Sequence, residues 1–413
     1  MEQIQVQRET TLSWFQSISQ SMLYKVLDKV EHGYLSVKFG EHTRDFGDAS
    51  SSLKADLCIN DPVVFSHLIT RGSIGVAEDF IAGYWSSSNL TNVIRFFVVN
   101  METLDAVESK LGKLGKVARL DYLWKKLSFR NSETQAKKNI LAHYDLGNHL
   151  YQRFLDPEMQ YSSAIYPDFC AGLDEAQQFK MAAICQKLQL SADDNVIEIG
   201  TGWGGLAIYM AQHYGCHVTT TTISDAQHEY AEARIKRLGL EDKITLLKRD
   251  YRRLEGQFDK LVSIEMIEAV GHEYLDTFFE KCGQLLKANG LMLIQAITIA
   301  DQRYEHYRNN VDFIQTYIFP GGCLPSITRM TNSITKGTDL VVHQLDDIGL
   351  HYAKTLSDWR QKFLQAWPEL SHEGFDEKFR RLWVYYLCYC EGGFLERAIS
   401  TVHLVARKPQ HRS

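Results

Sequence analysis

The chain has 413 residues, 45% hydrophobic and 23% charged, which is enough to bury one large core and a smaller one and leaves little room for extended disorder. Its formal net charge of −6 excludes nucleic-acid binding through global electrostatics. Eight scattered cysteines with no CxxC pair argue against a disulfide framework and fit reduced thiols in a cytosol.

The opening residues, MEQIQVQRET, lack the basic start and apolar run of a secretory signal, and no stretch approaches the roughly 18 apolar residues of a membrane span. The expectation is a cytoplasmic protein, at most peripheral at a membrane surface. Residues 1–105 mix short alternating runs (Leu35 to Phe39, Leu53 to Ile59) with a helical stretch ending at Trp85, which predicts a small α+β domain. From 106 to 138, lysines and arginines accompany Leu111, Leu114, Val117, Leu120, Leu123, Trp124 and Leu127 at helical spacing. This reads as a basic amphipathic linker that either lies on anionic headgroups or packs on protein with its charges solvated.

From about residue 190 the pattern becomes strands alternating with helices: NVIEIG, CHVTTTTI, KITLLKRD, KLVSIEMI and GLMLIQAITI, followed by DLVVHQLDDI and STVHLVARK. Five β/α repeats and two late strands predict an α/β fold with a seven-stranded, mostly parallel, Rossmann-like sheet over 139–413. The first strand runs into Gly200-Thr-Gly202-Trp-Gly204-Gly205 and then a helix, a turn in which glycines let a ligand approach the backbone. Spacing alone fits both the GxGxxG of dinucleotide sites and the ExGxGxG of methyltransferases. Two features favour S-adenosylmethionine over NAD. The second strand ends in Thr219 to Thr222, Ile223 and Ser224 with no acidic residue for ribose hydroxyls, whereas Glu198 and Asp250 sit where methyltransferases hold the amino-acid moiety and the adenine.

The stretches Ala142 to Tyr166, EIGTGWGG, Thr221 to Gln227, Ser263 to Glu273, Tyr317 to Ser326 and Tyr385 to Phe394 resemble, in order, motifs of the cyclopropane fatty acid synthase family, which includes the mycolic acid methyltransferases. The resemblance implies that Tyr161, Ser162, Gly200, Gly202, Thr222, Gln227 and Asp250 contact S-adenosylmethionine, with Glu198, Gly204 and Ser224 in the same pocket. It places Glu268, Ile297 and Tyr317 around a bicarbonate ion and adds Ser163, Gln295 and Cys390 to the catalytic set. Ser163 stands where the family has a cysteine, and Gln295 where it has a histidine. His143, Tyr144 and Asp145 fall in a segment that the family folds over its active site, a helix start being the equal alternative.

Methylation of a carbon–carbon double bond leaves a carbocation, which calls for a dry, aromatic pocket and one weak base. Phe313, Tyr317, Phe319, Trp383, Tyr385 and Tyr386 are the candidate rings, with core packing as their alternative role. Two anionic groups at Glu268 would have to share a proton or raise one pKa. The implied reaction converts unsaturated phospholipid acyl chains to cyclopropane products. Methylene- or methyl-branched products, methylation of a soluble small molecule and a non-catalytic binding protein stand as alternatives. No metal is expected, since His272 and Glu273 lack HExxH spacing. A homodimer stays open.

Overall fold

A computed structural model describes residues 11–104 and 147–412. The basic segment 106–138 and His143, Tyr144 and Asp145 lie outside the described residues. The described residues fall into two compact units, one built from the first hundred residues together with Pro368–Glu396, the other ending at Trp367 and completed by Arg397–Ser413.

In the first unit, helix α1 (Trp14–Leu27) opens with a capping box in which Ser13 and Gln16 satisfy each other's backbone N–H groups. Strands β1 (Tyr34–Phe39), β2 (His42–Gly47), β3 (Lys54–Ile59) and β4 (Trp85–Ser86) form a sheet of order β2-β1-β3-β4, accompanied by α2 (Val63–Ile81) and α3 (Leu90–Val99). The late helix α13 (Glu377–Leu395) packs on α2 and α3 within this unit. Its Arg381 guanidinium lies 4.2 Å from the Phe80 ring centroid and donates to the carbonyls of Phe80 and Trp85, while Thr91 donates to Glu391 at 2.9 Å. Sequence reading put this stretch in the methyltransferase domain. The structure instead buries Trp383, Tyr385 and Tyr386 here, with Tyr385 against Phe80.

The second unit begins with α4 (Asn148–Phe154) and α5 (Leu173–Lys187), then alternates β5 (Asn195–Ile199), α6 (Gly205–Tyr214), β6 (His217–Thr222), α7 (Asp225–Leu238), β7 (Ile244–Lys248), β8 (Phe258–Ile264), α8 (Leu275–Leu285) and β9 (Leu286–Ile299). After α9 (Asp301–Arg308), α10 (Phe313–Tyr317) and α11 (Ile327–Gly337) come β10 (Val341–Asp347), α12 (Gly349–His372) and β11 (Ile399–Arg407). The sheet has seven strands in the order β10-β11-β9-β8-β5-β6-β7; β11 pairs antiparallel with both β10 and β9, and the remaining neighbours pair parallel. All seven strands coincide with the runs picked out by alternation.

Side chains alternate between the two sheet faces, as a period of two requires. Ile197, Ile199, Met292, Ile294 and Leu404 pack with Phe278, Phe279 and Met330 on one face. Val196, Val218, Leu291, Leu293 and Val405 pack with Met181, Ile184 and Met210 on the other. Burial on both faces explains the nearly continuous apolar reading of β5 and β9. The strand order reverses beside β5, where β8 lies on one side and β6 on the other, and open parallel sheets bind ligands at the carboxyl edge of such a switch.

Candidate active site

The turn after β5 is shaped by three glycines with positive φ: Gly200 (105°), Gly202 (54°) and Gly204 (88°). A Cβ on Gly202 would meet nothing within 4 Å, so this backbone faces open space. Gly204 is the N-cap of α6 and has no side-chain cap, which leaves the positive end of that helix pointing into the turn. Gly205 has a different task, because its Cβ would collide with Gln160 Nε2 and sit 2.5 Å from the Glu158 carbonyl.

Glu198, buried at the end of β5, accepts from Thr220 Oγ1 at 2.5 Å, and Thr220 is bonded in turn to Thr201 at 2.7 Å. Burial pushes the Glu198 carboxyl upward, opposed by the Thr220 hydrogen bond and the charge of Lys180. At the end of β6, Thr222 Oγ1 donates to Gln227 Oε1 at 2.9 Å, and Ser224 caps α7 through the Gln227 N–H. Beyond β7, Asp250 is gripped by both guanidinium arms of Arg252 at 2.8 and 2.7 Å. Burial alone would raise Asp250, but Arg252's hydrogen bonds and charge hold it below the usual carboxylate range.

The loop carrying Tyr161 and Ser162 folds beside this turn because α5 holds it. Gln177 donates to the Ser162 carbonyl at 3.0 Å, and Lys180 donates to Ser162 Oγ at 2.8 Å and Gln160 Oε1 at 3.0 Å. Lys180 is fully buried, and burial drives its ammonium downward against the pull of Asp156, Glu265 and Glu198. Sequence reasoning missed it, although a signal was present: Leu173, Ala176, Gln177, Lys180, Met181 and Ile184 form one buried stripe at helical spacing, in which a lysine is out of place unless paired. Lys180→Met, which removes the charged donor from Ser162, is expected to weaken binding of S-adenosylhomocysteine about tenfold, as titration calorimetry reads it.

The Tyr161 ring belongs to an aromatic wall, with Tyr151 at 5.3 Å, Trp359 at 5.2 Å and Phe319 at 6.4 Å between centroids. Phe319 was anticipated; Tyr151 and Trp359 were not. Phe313 and Tyr317 pair with each other at 5.5 Å on α10, where Tyr317 is 39% exposed.

Past β8 the chain makes a short 3-10 turn, Ile267–Ala269, that carries Glu268. Glu268 Oε1 accepts the Ile297 N–H at 2.5 Å, while Oε2 is buried without a partner among the described residues. Burial, reinforced by the charge of Glu265, pushes this carboxyl up to about 8. Glu265 itself was missing from the sequence-level site. Its backbone is left-handed (φ 49°), and Oε1 accepts Ser163 N–H at 2.9 Å and Gln295 Nε2 at 2.7 Å. Oε2 accepts the hydroxyl of Tyr352 at 2.8 Å, so the tyrosine bonded to this carboxylate pair is Tyr352 on α12. Gln295 is oriented in turn by His403 Nε2 at 2.8 Å, whose Nδ1 faces Lys187 Nζ at 2.9 Å.

The second unit thus brings together Tyr161, Ser162, Ser163, Glu198, Gly200, Gly202, Gly204, Thr222, Ser224, Gln227, Asp250, Glu268, Gln295 and Ile297. Cys390 lies on α13, in the first unit.

The sequence profile of the mycolic acid cyclopropane synthetase family matches residues 131–404. The chain belongs to this family. It is 37% identical over 365 residues to the cyclopropane-fatty-acyl-phospholipid synthase of Escherichia coli K12, covering 86% of this chain and 88% of that one. It is 36% identical over 367 residues to the tuberculostearic acid methyltransferase UfaA1 of Mycobacterium tuberculosis, covering 84% and 83%. Among solved structures, the mycolic acid cyclopropane synthase CmaA1 complexed with SAH and CTAB superposes with a TM-score of 0.62 at 28% identity, covering 66% of this chain and 98% of that one. Members of this family are S-adenosylmethionine-dependent methyltransferases, and the glycine turn with its open Gly202 flank suits such a cofactor.

Bicarbonate fits this donor set poorly. Of the groups expected around it, the Ile297 N–H is already committed to Glu268, and the neighbouring Ser163 N–H and Gln295 amide are committed to Glu265.

Proposed function

We propose that this protein transfers the methyl group of S-adenosylmethionine to the double bond of an unsaturated phospholipid acyl chain and closes a cyclopropane ring. The observation that supports this most directly is a buried carboxylate pair, Glu265 and Glu268, beside an aromatic wall at the carboxyl edge of the sheet and next to the glycine turn. The bound cofactor supplies an electrophilic methyl on a sulfonium. The chain's residues do the remainder: Gly200, Gly202 and Gly204 admit the cofactor's main chain, Glu198 and Gln227 hold polar groups, and Asp250 faces the base. Tyr151, Tyr161, Phe319 and Trp359 exclude water and present ring faces to a developing cation.

No helix among the described residues is long and apolar enough to cross a membrane. We propose peripheral contact with a bilayer, because the acyl chain must be reached from the lipid. The similar identity to a tuberculostearic acid methyltransferase favours, as a second reading, a methylene- or methyl-branched product.

Mass spectrometry of phospholipids from cells making the protein checks both. A gain of one CH2 per modified chain with loss of alkene reactivity is expected. A retained alkene identifies the methylene product, and two further hydrogens identify the methyl branch. Lipids that gain no carbon would remove the lipid substrate altogether.

A further inference from the structure

We infer that Glu265 is the general base of this reaction and that its carboxylate takes the place of an external bicarbonate ion. The inference rests on the alkene-methylation reading and adds the identity of the proton acceptor. Three donors converge on Glu265: the Ser163 N–H, the Gln295 amide and the Tyr352 hydroxyl. The first of these belongs to the same loop as Tyr161 and Ser162, so the carboxylate is built into the cofactor side of the pocket. A small anion held by Ser163 and Gln295 would have to displace it.

The orientation is fixed from behind. Lys187, ion-paired with Asp346 at 2.6 Å, faces His403 Nδ1, which leaves the imidazole proton on Nε2 to donate to Gln295 Oε1. Gln295 must then turn its NH2 toward Glu265 Oε1. Burial and the neighbouring Lys187 and Lys180 charges press His403 far down, to about 3, which keeps it neutral and this order of donors intact. Glu265 and Glu268 are tied to β9 two residues apart, Glu265 N–H donating to the Gln295 carbonyl at 2.8 Å and Glu268 accepting from Ile297. The left-handed backbone at a residue with a side chain is strained, a strain that glycine would avoid.

The alkene π pair forms a bond to the transferable methyl carbon as the carbon–sulfur bond breaks onto sulfur, leaving a cation on the acyl chain. Glu265 Oε2, which accepts from Tyr352 alone among the described residues, takes a proton from the new methyl group. The electron pair of that C–H bond closes the ring. The Glu265 proton then passes by way of Glu268 to water. Among the described residues, the charged and titratable groups facing Glu265 are Glu268, Lys180 and Tyr352, with His403 one residue behind Gln295. Burial raises Glu265's proton affinity, while its three donors and Lys180 pull the other way, which suits a weak base.

The experiment uses the full chain, radiolabelled S-adenosylmethionine and vesicles of monounsaturated phosphatidylglycerol, in carbon-dioxide-free buffer and in buffer with millimolar bicarbonate. The wild-type rate is expected to be the same in both. Glu265→Gly, a change that the local backbone favours, is expected to lose about 10²-fold in kcat without bicarbonate and to regain at least tenfold with it. A wild-type rate that collapses when bicarbonate is removed overturns the inference, and this arm decides the matter even if the variant does not fold. A Glu265→Gly enzyme running at the wild-type rate without bicarbonate overturns it equally. Label that never enters the acyl chain in any buffer rejects the alkene-methylation reading instead.

Discussion

Glu268→Gln is expected to lower kcat about 10²-fold while making the folded protein more stable in alkaline buffer. Both effects come from one geometry. Glu268 keeps one oxygen on the Ile297 N–H and the other buried without a partner among the described residues, and burial beside Glu265 lifts its carboxyl to about 8. A carboxyl that ionises near 4.5 when unfolded and near 8 when folded binds its proton more tightly in the native state. Between those values the folded protein therefore holds the extra proton, and stability falls as pH rises through the window. The amide cannot ionise, so its advantage is small at pH 5 and reaches on the order of 1–3 kcal/mol by pH 9. Thermal melts of the two proteins at pH 5 and pH 9 measure it. In the wild type, kcat/KM is expected to rise with pH toward about 8 as Glu268 becomes able to accept a proton, and the variant should lack that limb. A variant that keeps the limb would assign it to another group.

Gly202→Val is expected to weaken S-adenosylhomocysteine binding by at least 10²-fold with a stability loss of only about 1–2 kcal/mol. A Cβ at this position meets nothing within 4 Å, so the folding penalty is mainly that of the left-handed backbone. The isopropyl group would instead fill the space into which the cofactor's main chain must descend. Gly205→Val is the instructive opposite, because its Cβ would strike Gln160 and the Glu158 backbone. That variant should lose stability first and binding as a consequence. Calorimetric titration paired with denaturant melts separates the two, and equal behaviour of both glycines would show that the turn is a packing device.

The sheet was legible because its apolar and β-branched runs alternate with helices, and the loop after β5 because its glycines come straight after a buried strand. The conflict between two glycine patterns was settled at the carboxyl end of β6, where threonines stand in place of an acid. Glu265 was hidden for a local reason. In LVSIEMIE it reads as one more strand residue, and only the left-handed turn at its own Cα swings the carboxylate back onto Ser163 and Gln295. Tyr352 was hidden for a non-local one, since nothing near it in sequence says that α12 reaches the end of β8. The misplacement of α13 has the same origin. Its aromatic run suits a substrate pocket and a helix interface equally well, and the bonds from Arg381 to Phe80 and Trp85 that decide between them span some 300 positions.

The membership of α13 in the first unit bears on how the protein is made. A ribosome that has finished β1 to β4, α2 and α3 has not yet supplied the helix that covers them, and Trp383, Tyr385 and Tyr386 emerge only after most of the other unit's strands. The amino-terminal part must therefore wait, partly uncovered, until nearly the last codons are read. Early translational stalling, or a stop codon shortly before residue 377, would release a chain whose catalytic sheet lacks β11 and whose opening segment still displays the apolar surface meant for α13, a species suited to chaperone capture or aggregation.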